Sequence, residues 1–113
     1  MDAQTKDRNW QVLQNCLNSQ IPLAVTRMTT LTTAAADIVT LNESTEMIRI
    51  YSKTYDTYIY FYGTGRTATV SATVFHKVIP AWVPTLISVP PATTKITGIA
   101  NESTVPLLIV EEY

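Results

Sequence analysis

From Pro22 onward the chain alternates, apolar residue against polar, in short runs that each end in a turn signal. In Met47-Ile48-Arg49-Ile50-Tyr51 the isoleucines fall on one side and Met47, Arg49 and Tyr51 on the other. In Tyr58-Ile59-Tyr60-Phe61-Tyr62, Ile59 and Phe61 oppose three tyrosines. A period of two sends successive side chains to opposite faces of a pleated strand, whereas a helical face needs a period of 3.6. Strands are therefore expected at about 23–33, 36–41, 46–52, 57–63, 68–79, 84–89, 95–100 and 106–112. Between them lie Asn42-Glu43-Ser44, Lys53-Thr54-Tyr55-Asp56, Gly63-Thr64-Gly65-Arg66, Pro80, Pro90-Pro91 and Asn101-Glu102-Ser103, all residue types that break or turn a strand. Seven or eight short strands, with no helical stretch between them to make parallel crossovers, predict an all-β domain: an antiparallel β-sandwich or a jelly-roll-like barrel.

Threonine supports the same reading. It supplies nineteen of 113 residues, and its branched β-carbon suits a strand while its hydroxyl tolerates water. A chain of this length makes one domain with a modest core and leaves much surface for solvent or partners. Charged residues are only 15% of it, against roughly 25% in an average soluble domain, so part of the surface is expected to be covered in an assembly.

Residues 1–21 differ in composition and are rich in Asp, Asn, Gln and Lys. Trp10, Leu13 and Leu17 recur at helical spacing, Thr5 or Asp7 can cap, and Ile21-Pro22 stops the run. The expectation is an N-terminal arm of 1–21, helical or extended, ahead of a β domain of 22–113. A helix this short is marginal alone in water, so it docks on its own domain, on a neighbour, or on further copies of itself.

Little here points to chemistry. His76 is the lone histidine and Cys16 the lone cysteine, too few for a metal cluster of the usual spacing or an internal disulfide framework. There is no Gly-x-Ser-x-Gly elbow. Gly63-Thr64-Gly65-Arg66-Thr67 lacks the Gly-Lys-Ser/Thr ending of a phosphate loop and reads as a hairpin turn. Asp37, Glu43, Glu46 and Asp56 lie at strand ends without the spacing of a calcium loop. The expectation is a non-enzyme with no cofactor and no metal. A net charge of −1 gives nucleic acid no basic stripe, and no apolar run is long enough to span a bilayer. The polar N-terminus lacks the apolar stretch of a signal peptide, which predicts use without secretion. Asn-Glu-Ser-Thr occurs at 42–45 and 101–104; both copies read as one turn solution used twice, and their match to the glycosylation sequon as chance.

The informative residues are aromatic. If strands 46–52 and 57–63 pair as a hairpin, one face gathers Tyr51, Tyr58, Tyr60 and Tyr62 with Met47 and Arg49, residue types enriched at protein interfaces. The alternatives are an ordinary half-exposed sheet face, or a platform on which sugar rings stack. Trp82, between Pro80 and Pro84, belongs to an extended edge or crossover; it either seals one end of the core or stands exposed as an anchor.

Residues 31–113 resemble small β-sandwich proteins encoded among the structural genes of tailed bacteriophages. The shared plan is a Thr/Ala-rich opening, the strand Met47-Ile48-Arg49-Ile50-Tyr51, and a second strand closing on small residues from Tyr58 to Gly65. A Thr/Ser/Ala segment then precedes Ile79-Pro80-Ala81-Trp82-Val83-Pro84, a short strand ending Val89-Pro90-Pro91, and Ile96-Thr97-Gly98-Ile99-Ala100 with a closing strand. The heavy tyrosine content and the N-terminal segment depart from that plan. The resemblance implies a virion component made in the host cytoplasm: a head decoration or cement protein, a connector-associated protein, or a fibre base. Its partners would be capsid, connector or fibre proteins and further copies of itself, a trimer suiting a three-fold axis. Candidate interface residues are Trp10, Leu13, Leu17, Arg49, Tyr51, Tyr58, Tyr60, Tyr62 and Trp82. The alternative function is a carbohydrate- or receptor-binding module.

Overall fold

The computed structural model describes residues 21–63 and 69–113. The expected arm of 1–21, with Trp10, Leu13 and Leu17, lies outside them except for Ile21. The described residues form eight strands: β1 (Ala24–Met28), β2 (Ala36–Thr40), β3 (Met47–Ser52), β4 (Thr57–Tyr62), β5 (Lys77–Ile79), β6 (Thr85–Ser88), β7 (Lys95–Ala100) and β8 (Leu108–Glu112). One sheet runs β1-β8-β3-β6 and the other β2-β7-β4-β5, with antiparallel neighbours throughout. The fold is the expected antiparallel β-sandwich, its strands interleaved between sheets as in a jelly roll.

The chain crosses from one sheet to the other at every connection except β4 to β5. One expectation falls with that. β3 and β4 do not form a hairpin; they belong to opposite sheets. Alternation along each strand is as read, with Ile48 and Ile50 buried on β3 and Ile59 and Phe61 on β4. These apolar sides face each other across the sandwich, so the polar sides point away from each other. The period of a strand says which of its sides is apolar but not which strand lies beside it.

Between the layers sits an aliphatic core. Ile48, Ile50, Ile59, Ile79, Ile96, Leu108 and Val110 have no exposed surface, and Leu31 and Val105 close it through an isolated bridge. Burying each such side chain contributes about 1.5–3 kcal/mol. One carboxylate is also enclosed. Glu112 is 2% exposed, and its Oε1 accepts hydrogen bonds from the Asn42 amide and the Thr45 hydroxyl, both at 2.7 Å. The end of the last strand thus holds the β2–β3 turn. Among the described residues no buried side-chain nitrogen or oxygen lacks a partner.

Elsewhere hydroxyl and amide side chains set where strands stop. The expected strand at 68–79 is ordered as a strand only over Lys77–Ile79. The Ser71 hydroxyl accepts the Thr73 and Val74 amides at 3.2 and 3.1 Å, a local alternative to a sheet ladder. In β1, expected to reach residue 33, the strand ends at Met28. The two Asn-Glu-Ser-Thr segments use different bonds. Asn42 Oδ1 accepts the Ser44 amide at 2.9 Å, whereas Asn101 Oδ1 accepts the Tyr58 hydroxyl.

Gly98 shows how closely the layers are fitted. A bulge in β2 between Asp37 and Val39 leaves both Ile38 and Val39 buried. A Cβ on Gly98 would lie 2.7 Å from Ile38 Cδ1 and 2.9 Å from the Tyr58 carbonyl oxygen. Because one of those neighbours is backbone, Gly98→Ala is expected to cost about 1–3 kcal/mol. Urea unfolding should show a lower midpoint with an unchanged slope.

Candidate interaction surfaces

Two outer faces carry the residues singled out from the sequence, and they are on opposite sides of the molecule. On the β1-β8-β3-β6 sheet, Arg49 pairs in register with Glu111 and binds both of its carboxylate oxygens at 2.9 Å. The Tyr113 ring lies 5.9 Å from the guanidinium, and its hydroxyl donates to Glu111 at 3.3 Å. Tyr51 pairs with Ile109 one row away. Arg49 is thus tied into its own sheet by a two-pronged, charge-assisted bond.

Tyr58, Tyr60 and Tyr62 point outward from the β2-β7-β4-β5 sheet, beside Ile99, Thr97 and Lys95 in register. Thr97 and Ile99 are buried under this face. Each tyrosine has a fixed partner. The Tyr58 ring stacks on Phe75 at 4.6 Å, and its hydroxyl donates to Asn101 at 2.9 Å. The Tyr60 ring stacks on His76 at 4.0 Å. The Tyr62 hydroxyl donates to Asp37 at 2.6 Å, and Lys95 lies 3.9 Å from that carboxylate. Rings held this way lose little freedom when a partner covers them. Phe75, 37% exposed, extends the face with Val74 and Val78, also exposed.

Phe75 and His76 were not legible as part of this surface. Read as a strand, residues 74–78 place Phe75 and His76 on opposite sides, but residues 69–76 are irregular and bring both rings onto β4. The His76 amide donates to the Ile59 carbonyl at 2.8 Å. Its Nδ1 accepts the Phe61 amide at 2.9 Å, which places the proton of the neutral ring on Nε2. A side chain here takes the position of the next strand's carbonyl and ends the β4–β5 ladder.

Trp82 does not seal the core. It is 56% exposed, followed by Val83 at 53%, on the turn between β5 and β6. Its φ is 68°, the left-handed region that usually takes glycine. Three hydrogen bonds hold it: Trp82 amide to Ser52 carbonyl (2.9 Å), Val83 amide to Pro80 carbonyl (3.5 Å), and Ala81 amide to Asp56 Oδ1 (2.8 Å).

At the other end of the same edge the sandwich opens into a cleft of about 300 Å³ between β4, β5, β6 and the Pro90-Pro91 turn. Phe61 and Ile87 reach it from the core, and His76, Lys77, Ser88 and Thr93 stand around it. The turn closes through a bond from the Thr93 amide to the Pro90 carbonyl, with Ala92 at φ 62°. Gly63 permits this packing, because a Cβ there would collide with the Ala92 carbonyl oxygen. Residues 64–67, read as a hairpin turn, lie outside the described residues. Among the described residues, no three His, Cys, Asp or Glu side chains converge to hold a metal ion, and no helix is long and apolar enough to cross a membrane.

No family model and no curated protein matches the chain. Among solved structures it is similar to a chain from Bacillus endospore appendages, described as a novel family of disulfide-linked pili. The two are 20% identical, over 85% of this chain and 91% of that one, with a TM-score of 0.43.

Two measurements check the tyrosine face. The bond to Asp37 raises the Tyr62 phenol above its usual 10.0, with smaller contributions from burial and from the Asp37 charge. A raised folded-state value means that this contribution to stability is complete below pH 10 and fades as pH climbs through the folded value. Carbon NMR of the tyrosine rings should find Tyr62 ionising above the usual range, and Asp37→Ala should bring it back. His76→Phe keeps a ring against Tyr60 but leaves the Phe61 amide without its acceptor; denaturant unfolding should show a loss of about 1–3 kcal/mol.

Proposed function

We propose that this chain is a non-catalytic structural subunit that acts by being packed against other proteins. The observation that carries the reading is the outer face of the β2-β7-β4-β5 sheet. There Tyr58, Tyr60 and Phe75 are held in ring stacks beside exposed Val74 and Val78. Aromatic area fixed in advance, with the Tyr58 and Tyr62 hydroxyls already bonded, is the surface chemistry of a protein interface. The low share of charged residues supports it, as do buried side-chain nitrogens and oxygens that, among the described residues, all have partners.

The setting we propose is the virion of a tailed bacteriophage, where the partners are capsid, connector or fibre proteins and further copies of the chain. This setting rests on the sequence resemblance. The carbohydrate reading is weaker, because Tyr58 and Tyr60 each already have a ring face covered by Phe75 or His76, leaving less open ring for a sugar to stack on.

Mass spectrometry of purified particles tests the setting; a particle without this chain removes it. Sedimentation tests the surface. The protein should sediment as an oligomer, or with a partner, at micromolar concentration. Tyr60→Asp should weaken that association about tenfold or more while the far-ultraviolet dichroism stays that of a β protein. Unchanged association would take Tyr60 out of the interface.

A further inference from the structure

We propose that copies of this chain add head to tail, the Trp82 indole of one copy seating in the cleft between β5 and β6 of the next. The inference builds on the structural-subunit reading and names a contact separate from the tyrosine face.

The donor end is a strained, exposed aromatic. A bulky residue at positive φ is strained and persists only where its surroundings over-determine it. Trp82 has φ 68° and is pinned by bonds to Ser52 and across the Pro80–Val83 turn. Glycine would fill that turn position without strain. The chain instead holds its largest side chain there, 56% exposed, with Val83 beside it.

The receiving end is a hole of matching size. A volume of about 300 Å³ is at the low end for pockets that enclose a small ligand, so it suits one large side chain better than an extended peptide. Its apolar lining of Phe61, Ile87 and Pro90 suits the ring. Lys77 makes no ion pair among the described residues, and an ammonium group over an indole face is favourable. The Ser88 and Thr93 hydroxyls at the cleft offer acceptors for the indole N–H.

Position and charge make the occupant a second copy. Strand β6 starts at the Trp82 turn and ends at the cleft, so donor and receiver lie at opposite ends of one edge. Asp56 bonds the Ala81 amide next to Trp82, and its own carbonyl accepts the Asn101 amide, bringing the adjoining Glu102 to the same end; Lys53, next in sequence to the Ser52 that holds the Trp82 amide, offsets one of these two carboxylates. Lys77 stands at the cleft and meets that carboxylate-bearing end in the stacked pair. The contact joins unlike patches, so it extends into a ring or filament rather than stopping at a symmetric dimer. One indole buries roughly 150–250 Å², far below the roughly 1,000 Å² of a lasting interface, so single contacts are weak and growth depends on concentration.

Sedimentation velocity on the full chain between 10 and 200 µM tests this, using Trp82→Gly, which suits the backbone angle, and Lys77→Glu at the cleft. Wild type should shift steadily to larger species, and each variant, carried on Tyr60→Asp to silence the tyrosine face, should lose at least tenfold of the association that Tyr60→Asp alone retains. Mixed in equal amounts, with Tyr60→Asp in both, the two variants should form a one-to-one dimer and nothing larger, because Trp82→Gly keeps an intact cleft and Lys77→Glu an intact tryptophan. A wild type that stays monomeric, or a Trp82→Gly variant that associates like Tyr60→Asp alone, overturns the proposal. So does a mixture that gives no dimer. Association lost in Tyr60→Asp alone but kept in Trp82→Gly alone overturns the proposal while leaving the structural-subunit reading in place.

Discussion

The structure depends on one contact, the meeting of Ile48 and Ile50 with Ile59 and Phe61 across the interior. These residues sit on consecutive strands, yet the strands lie in different sheets. The segment between them must therefore carry the chain through the thickness of the sandwich, about 10 Å. It does so with polar residues that bond to one another: the Ser52 hydroxyl reaches the Tyr55 carbonyl at 2.6 Å and the Thr57 hydroxyl at 2.7 Å, while Thr54 turns the backbone at φ 77°. Once the apolar sides face inward, everything on the polar sides is assigned. Arg49 and Tyr51 go to one outer face, Tyr58, Tyr60 and Tyr62 to the other.

This division explains how much could be read in advance. Period-two patterning marked the inner residues of β3 and β4 correctly, because it reflects a property of one strand. Pairing is a property of two strands, and nothing local in Lys53-Thr54-Tyr55-Asp56 separates a hairpin turn from a crossing between layers. The same limit applied to residues 69–76, where alternating Thr and Val suggested a strand but the Ser71 hydroxyl captured two backbone amides instead. The identical Asn-Glu-Ser-Thr segments diverged for a similar reason. Asn42 bonds within its turn and against Glu112, and Asn101 is claimed by a tyrosine from β4.

The surfaces were legible residue by residue rather than as arrangements. Trp82 stood out through its flanking prolines, but its left-handed backbone comes from bonds to Ser52 and Asp56 that no local pattern announces. The tyrosines were visible at once. Their ring partners were not, since Phe75 and His76 reach them through an irregular segment. The cleft had no sequence signature, because its lining is assembled from β4, β5, β6 and a proline turn.

The histidine that closes the β4–β5 ladder also governs how the protein behaves in a crowd. An open sheet edge presents unpaired amides and carbonyls on which a foreign strand can template itself. Here the amide of Phe61 is already taken by an imidazole nitrogen, β5 is three residues long and Pro80 follows it. A strand approaching that margin finds little left to zip onto. Contacts made there must be between shapes rather than between backbones, which keeps a densely packed population of such chains from fusing into continuous cross-β sheets along this side.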